Sequence, residues 1–228
     1  IKVFIKKNDG VSSSINYAAK KVETEYFLQI SPDIIFDYRD IYKFYNVAKN
    51  LNDKFSALGP RFLNVNNKSH KQIEKKFSVR IIDSIHGSCM FINKKRFKEI
   101  GGFDKNFFLY FEETDYCKRA LSINLKSYQI NSIKVKSSGR TVTIKNKDEK
   151  KKLSYLLIWH FIWSKYYFTK KNNGKIISIV IFLPTMIRII FRICLYNIID
   201  QEEYKIKYKY RFNGLMRSIK GLSSNLRP

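Results

Sequence analysis

Two short stretches of this 228-residue chain concentrate the residue types that do chemistry at oxygen. The first is Ser31-Pro32-Asp33, which ends the aromatic and β-branched run of residues 26–30. An Asp at the carboxyl end of a strand stands where open α/β sheets bind ligands. One carboxylate there can hold a hard cation while leaving room for substrate phosphates. The same residue after a proline also fits a plain turn. The second stretch is Glu112-Glu113-Thr114-Asp115, with three carboxylates in four residues, read as following an aromatic strand over 107–111. Crowded like charges raise one another's pKa, which suits a general base, and acids in a first helical turn also complement the helix dipole. Each feature alone has a structural reading; two acidic sites at strand-to-helix junctions make the stronger case together.

Other reactive residues add little. His70 lies in a polar stretch, His86 precedes Gly87 and reads as structural or as an acceptor contact, and His160, between Trp159 and Trp163, reads as packing or facing the interface rather than binding metal. No three of them have zinc spacing. Cys89, Cys117 and Cys194 are too few and too scattered for a disulfide framework and read as buried thiols in a reducing compartment. Gly101-Gly102 reads as a helix stop, and the GxGxxG phosphate loop is absent.

The elements that must position these residues follow from local patterns. Residues 1–5 alternate like a strand, Asn8-Asp9-Gly10 is a turn, and Ser12, Ser13 and Ser14 offer caps for a helix to about Val22. With the strand at 26–30 this makes strand, helix, strand, the sign of a parallel sheet. A helix is expected over 38–51, a strand over 55–58 closed by Gly59-Pro60, and a loop over 64–76. Strands over 79–85 and 89–92 then flank His86-Gly87-Ser88, followed by a helix over 94–100, a helix from Thr114 to about Ile123, and small strands over 126–130 and 133–135. The sheet domain is expected to occupy 1–144. Helices over 148–167, 175–199 and 202–220 form a second region, 145–228.

Lys and Arg number 44 against 19 Asp and Glu, a net charge of +25, so the chain must meet anionic partners. Hydrophobic residues at 44% and aromatics at 15% exclude a disordered polycation. The tail from Lys145 holds 18 basic and 5 acidic residues, against 26 and 14 before it. Within it, residues 176–187 carry no charge, a run too short to span a bilayer. On a helical wheel Ser178, Thr185, Arg188 and Arg192 form a polar stripe among apolar residues, and Pro184 predicts a kink. With Trp159, Trp163, Tyr166 and Tyr167 before it and Lys205, Lys207, Lys209 and Arg211 after it, the pattern is that of a segment lying on an anionic membrane surface. The alternative is an apolar hairpin packed on the sheet domain.

Asn8-Asp9-Gly10 with Asn16, and Glu25-Tyr26 running to Ser31-Pro32-Asp33, resemble the stretch of family 2 glycosyltransferases that ends in a metal-binding Asp. Gly87-Ser88-Cys89-Met90-Phe91-Ile92, Arg96-Phe97, Gly101-Gly102-Phe103-Asp104 and the run from Phe107 to Asp115 look like the acceptor-side signature of the same enzymes. Ser164-Lys165-Tyr166-Tyr167-Phe168 with Lys170-Lys171 and Gly174 resembles the tail of the rhamnosyltransferase-like members. The resemblance implies a GT-A, Rossmann-like, mostly parallel α/β sheet flanked by helices, and inverting transfer from a nucleotide-sugar donor to a glycan or lipid-linked acceptor in bacterial surface polysaccharide synthesis. It implies that Asp33 holds Mg²⁺ or Mn²⁺ on the diphosphate and that Glu113, standing where the family has Asp, is the base, with Asp115 as the fallback. Asn16, Gly87, Ser88, Glu112 and Arg119 would contact donor or acceptor. Ser137 and Ser138 replace a His common in the family, and the family's first strand and helix would precede Ile1. The expected location is cytoplasmic, peripheral on the inner face of the plasma membrane. The competing class is a basic protein that binds nucleic acid or another anionic polymer. No RNP, HTH or OB pattern supports it, and the acidic cluster would repel phosphates.

Overall fold

The computed structural model describes residues 2–63, 78–138, 146–224 and 226–227. The loop expected at 64–76, His70 within it and the domain boundary near Thr143 lie outside the described residues. The chain divides into two compact units: Ile1–Lys6, Ser13–Asp104 and Glu112–Thr143 form the first, while Lys7–Ser12, Lys105–Phe111 and Ile144–Pro228 form the second.

The first unit is an α/β sheet with helices. Its elements in chain order begin with α1 (Val11–Lys21, shared at its start with the second unit), β1 (Tyr26–Ile30), β2 (Ile34–Ile35), α2 (Asp40–Asn50) and β3 (Phe55–Phe62). They continue with β4 (Val79–Ile82), β5 (Cys89–Asn93), α3 (Lys94–Ile100), α4 (Glu112–Leu121) and β6 (Lys126–Ser137). The strand order is β1-β5-β3-β6-β2, with β4 also on β6. Along β5 every residue is buried, because both faces of this central strand are covered. Met90 and Ile92 join one core cluster with Phe97, Tyr116 and Ala120, while Phe91 joins the other with Phe44 and Ala48. That alternation is the pleat of a strand with α3 and α4 on one face and α2 on the other. Local signals set the ends of α3: Asn93 accepts from the Arg96 N–H at 3.1 Å, and Gly101 closes the helix at φ +88°.

The sheet is mixed rather than mostly parallel. Among the described pairings β3–β6 is parallel, whereas β1–β5, β3–β5, β4–β6 and β2–β6 are antiparallel. The parallel expectation relied on a first strand over residues 1–5. Residues 2–5 are not in a strand, and Val3 and Ile5 stand exposed, so an alternating pattern without a neighbour to pair its backbone does not become a strand. Pro60 does not end β3; the register with β6 slips between Pro60 and Arg61, where proline has no N–H for the ladder. The two small strands expected near the end are one, β6, and Phe107–Phe111 is irregular rather than a strand.

The second unit contains three long helices, α5 (Lys147–Asn173), α6 (Lys175–Ile198) and α7 (Glu202–Ile219). Ile162 and Tyr166 of α5, Phe182 and Ile189 of α6 and Leu215 of α7 form their shared core. Gly214 lets α7 approach α5, since a β-carbon there would lie 2.7 Å from the Trp159 carbonyl oxygen. Trp159, Trp163 and Tyr166, expected at a headgroup layer, are buried instead. The two indole N–H groups donate to Asn213 Oδ1 at 2.8 Å and to the Leu222 carbonyl at 3.1 Å. A bundle that buries its aromatics this way takes its core from them. His160 is also a packing residue: its ring bonds the Leu226 carbonyl and Ser224 Oγ, and burial lowers its pKa to about 4, so it is neutral. Cys89 and Cys117 are buried as expected, but Cys194 is exposed on α6.

Candidate active site

Asp33 occupies the turn between β1 and β2. The Ile34 N–H donates to the Ser31 carbonyl at 3.1 Å, which closes the turn that Pro32 begins. The half-buried carboxylate accepts from Ser137 Oγ through Oδ2 at 2.7 Å, and the Ser138 N–H and Oγ both reach the Asp33 carbonyl. Ser137 is therefore a direct partner of the Asp. The short ladder of β2 on β6 places it there, pairing Ile34 with Ser137.

The same turn is tied to the loop before β5. The Ser31 N–H donates to the Ser88 carbonyl at 2.8 Å, and Gln29 Nε2 donates to the Gly87 carbonyl. Within that loop His86 accepts from the Ser88 N–H through Nδ1 at 3.3 Å and packs on Phe62 with ring centroids 4.7 Å apart. Glu113 approaches from α4. Its Cδ lies 3.6 Å from where a β-carbon on Gly87 would stand, so a larger residue at 87 would take the space beside the carboxylate. Asp33, Gly87, Ser88 and Glu113 thus gather around one loop.

Helix α4 starts at Glu112, two residues earlier than its sequence suggested, and this puts Glu112 and Glu113 in its first turn. Tyr110 and Phe111, just before it, are both left-handed at φ +70°. Backbone of that kind in bulky residues persists where surroundings impose it, and such positions cluster at functional sites. Burial pushes both glutamate carboxyls well above the ordinary range, and for Glu112 the neighbouring Glu113 charge adds to the rise. Glu112 is 7% exposed, and its Oε2 has no hydrogen-bond partner.

Asn16 and Arg119, expected to touch donor or acceptor, and Asp115, the fallback base, are each bonded within the fold. Asn16 clips a corner: its Nδ2 donates to the Phe103 carbonyl at 2.7 Å, and its Oδ1 accepts from the Phe103 N–H at 2.9 Å. Arg119 donates to Asp115 Oδ2 at 2.7 Å, to the Ile100 carbonyl at 2.6 Å and to the Gly102 carbonyl at 2.7 Å. It binds the carbonyls left open at the end of α3, and the guanidinium is fanned over three acceptors. Asp115, 2% exposed, is its counter-ion and is poorly placed to reach an acceptor as the fallback base. We expect Asp115→Asn to lower stability by about 2 kcal/mol, because it removes the charged, buried acceptor of a half-buried cation. Urea unfolding measures the loss, and turnover per folded molecule should persist. A stable Asp115→Asn protein without turnover would instead make Asp115 the base.

Among the described residues no group of three or more His, Cys, Asp or Glu could hold a metal ion alone. One carboxylate with an oriented oxygen does fit a cation whose remaining ligands come from a substrate diphosphate and water.

No family model matches the chain. It is 28% identical over 134 residues to the low-salt glycan biosynthesis hexosyltransferase of Haloferax volcanii, covering 51% of this chain and 43% of that protein. It is 30% identical over 77 residues to the N-acetylglucosaminyl-diphospho-decaprenol L-rhamnosyltransferase of Mycobacterium tuberculosis, covering 32% of this chain and 25% of that one. The chain thus spans less than half the length of these curated relatives. Among solved structures it is similar to a mannosyltransferase from Pyrobaculum calidifontis in complex with GDP-Man and Mn²⁺. That match has a TM-score of 0.48 and 10% identity, and covers 92% of this chain and 66% of the other. Over part of its length the chain is thus similar to a glycan hexosyltransferase and to a rhamnosyltransferase.

Proposed function

We propose that the protein is an inverting glycosyltransferase that moves a sugar from a nucleoside-diphosphate donor to a glycan or lipid-linked acceptor in surface polysaccharide synthesis, and that its sheet unit is the GT-A-type catalytic domain. The observation that carries this reading is the meeting of two acidic elements at one loop: the Asp33 turn through Ser31 and Ser88, and Glu113 through its contact with Gly87. Asp33, held by Ser137, would be the protein ligand of Mg²⁺ or Mn²⁺. When bound, such a cation stabilises negative charge on the departing diphosphate.

Glu113 takes the proton from an acceptor hydroxyl as that oxygen attacks the anomeric carbon. The bond to the diphosphate breaks with its electron pair leaving on the diphosphate. A carboxyl raised toward neutrality by burial is a stronger base once ionised than an ordinary one. Its extra methylene relative to Asp is matched by Gly87, which leaves room for the side chain. Glu112, buried beside it, raises the cost of ionising the pair and acts on the base rather than on substrate. The basic tail would hold the enzyme at the inner face of the plasma membrane, where lipid-linked acceptors are found.

Incubating the full-length protein with a panel of nucleotide sugars and polyprenyl-diphosphate-linked acceptors tests this reading. Mass spectrometry should find an extended lipid and an equimolar nucleoside diphosphate, and NMR an inverted anomeric centre. No donor consumption in any combination, together with a salt-dependent shift on oligonucleotides, would favour a nucleic-acid-binding protein.

A further inference from the structure

Helix α6 is inverted for a helix in water. Ser178, Phe182 and Ile189 are buried in the bundle, with half-buried Thr185, Met186, Arg192 and Ile193 on the same side. The expected polar stripe is therefore mostly turned inward: Ser178 Oγ donates to the Gly174 carbonyl at 2.7 Å and Arg192 to the Tyr196 hydroxyl at 3.0 Å, while Arg188 stays exposed. On the opposite side Ile176, Val180, Leu183, Ile187, Phe191 and Ile198 recur at helical spacing, and all are exposed, Ile176 and Ile198 by 80%. A wheel drawn from the sequence shows two faces without showing which one α5 and α7 cover.

The helix is also longer than its charge-free run. It continues unbroken through Pro184, Arg188 and Arg192, and by length and composition its 24 residues could cross a membrane, a correction to the sequence expectation. Crossing is opposed by what packs beside it. Tyr208, Phe212, Leu215 and Ile219 of α7 lie in the core shared with α6, and the same helix carries Lys205, Lys207, Lys209, Arg211 and Arg217. If α6 spanned, those cations would be drawn into hydrocarbon, where charge is strongly disfavoured. A helix lying in the plane of the leaflet meets no such penalty. It sinks one apolar face into the acyl boundary and keeps its neighbours in water.

We infer that α6 lies in the plane of an anionic leaflet, with the face bearing Ile176, Val180, Ile187 and Phe191 inserted and α5 and α7 on the aqueous side. The occupant of this face is a lipid surface because the apolar strip is flanked by cations, Lys170, Lys171 and Lys175 before it and Lys207 and Lys209 after it, which suit phosphate headgroups. The inference deepens the membrane reading of the tail given above and rests on it, and it does not depend on the transfer chemistry.

Sedimentation of the full chain with vesicles tests it without any activity measurement. With equimolar phosphatidylglycerol and phosphatidylcholine the protein should pellet, with phosphatidylcholine alone it should pellet weakly, and alkaline carbonate should release it. The double substitution Val180→Glu/Ile187→Glu should weaken partitioning by about tenfold or more. Its circular dichroism and thermal melt should be unchanged, because both side chains are exposed. Undiminished pelleting of that variant overturns the α6 assignment while sparing the membrane reading. No pelleting of the parent overturns both. Resistance to carbonate replaces the in-plane arrangement with a span. If the parent self-associates without lipid and the variant does not, the face is an interface between copies, and the inference fails.

Discussion

Glu113→Gln is expected to slow sugar transfer severely while leaving the donor bound. The substitution keeps size and hydrogen bonding but cannot accept a proton, and loss of a general base slows chemistry by about 10²- to 10⁴-fold. Turnover should fall by that amount, while the Kd for the nucleoside diphosphate, read by calorimetry, stays near that of the parent. Burial raises the Glu113 carboxyl, and only the ionised form works as a base. In the parent the rate should therefore rise with pH through a range above that of an ordinary carboxylate, and Glu113→Gln should lose that limb. Glu112→Gln should be milder in turnover, since burial rather than the Glu112 charge raises the base. It should also melt higher than the parent at alkaline pH. A carboxyl raised in the folded state binds protons the unfolded chain has already lost, so its contribution to stability declines as pH rises through that interval, and glutamine escapes the decline. Near-parental transfer by Glu113→Gln would remove Glu113 from the chemistry.

The second large effect concerns Asp33. A single carboxylate makes a weak site for a hard cation, so divalent metal should bind appreciably only when a nucleoside diphosphate supplies further oxygens. Calorimetry of the parent should show each ligand strengthening the other, and Asp33→Ala should lose that coupling. Ser137→Ala keeps the carboxylate but frees its Oδ2, and loss of an orienting partner of this kind weakens a metal by about tenfold or more. The pair therefore ranks: Asp33→Ala has the larger loss, Ser137→Ala the smaller, both read as metal affinity. If Asp33→Ala binds diphosphate and metal as tightly as the parent, the cation is held elsewhere.

Much of this architecture is legible in the chain because the signals are local. The Gly101 stop, the turn at Ser31-Pro32-Asp33 and the strand that begins at Cys89 each depend on neighbours a few residues away, and each is found where expected. The carboxylates of the candidate site were equally legible as charges, and the family resemblance pointed to the same stretches. What a motif cannot say is whether a residue is needed for chemistry or for holding the frame. Asn16 and Arg119 are bonded within the frame, a placement only the structure shows. The contact that decides the case of Asn16 joins residues 87 apart in sequence.

The misreadings have the same origin. Residues 1–5 alternate correctly for a strand, yet a strand exists only when another backbone pairs with it, and pairing is a property of the assembled sheet. The aromatics of α5 look like an interfacial belt until α7, lying close at Gly214, covers them. The two faces of α6 can be drawn from sequence alone. Composition and spacing determine how apolar and polar groups are distributed around each helix, whereas which side is buried depends on where its neighbours pack, and that is decided only when the tertiary contacts form.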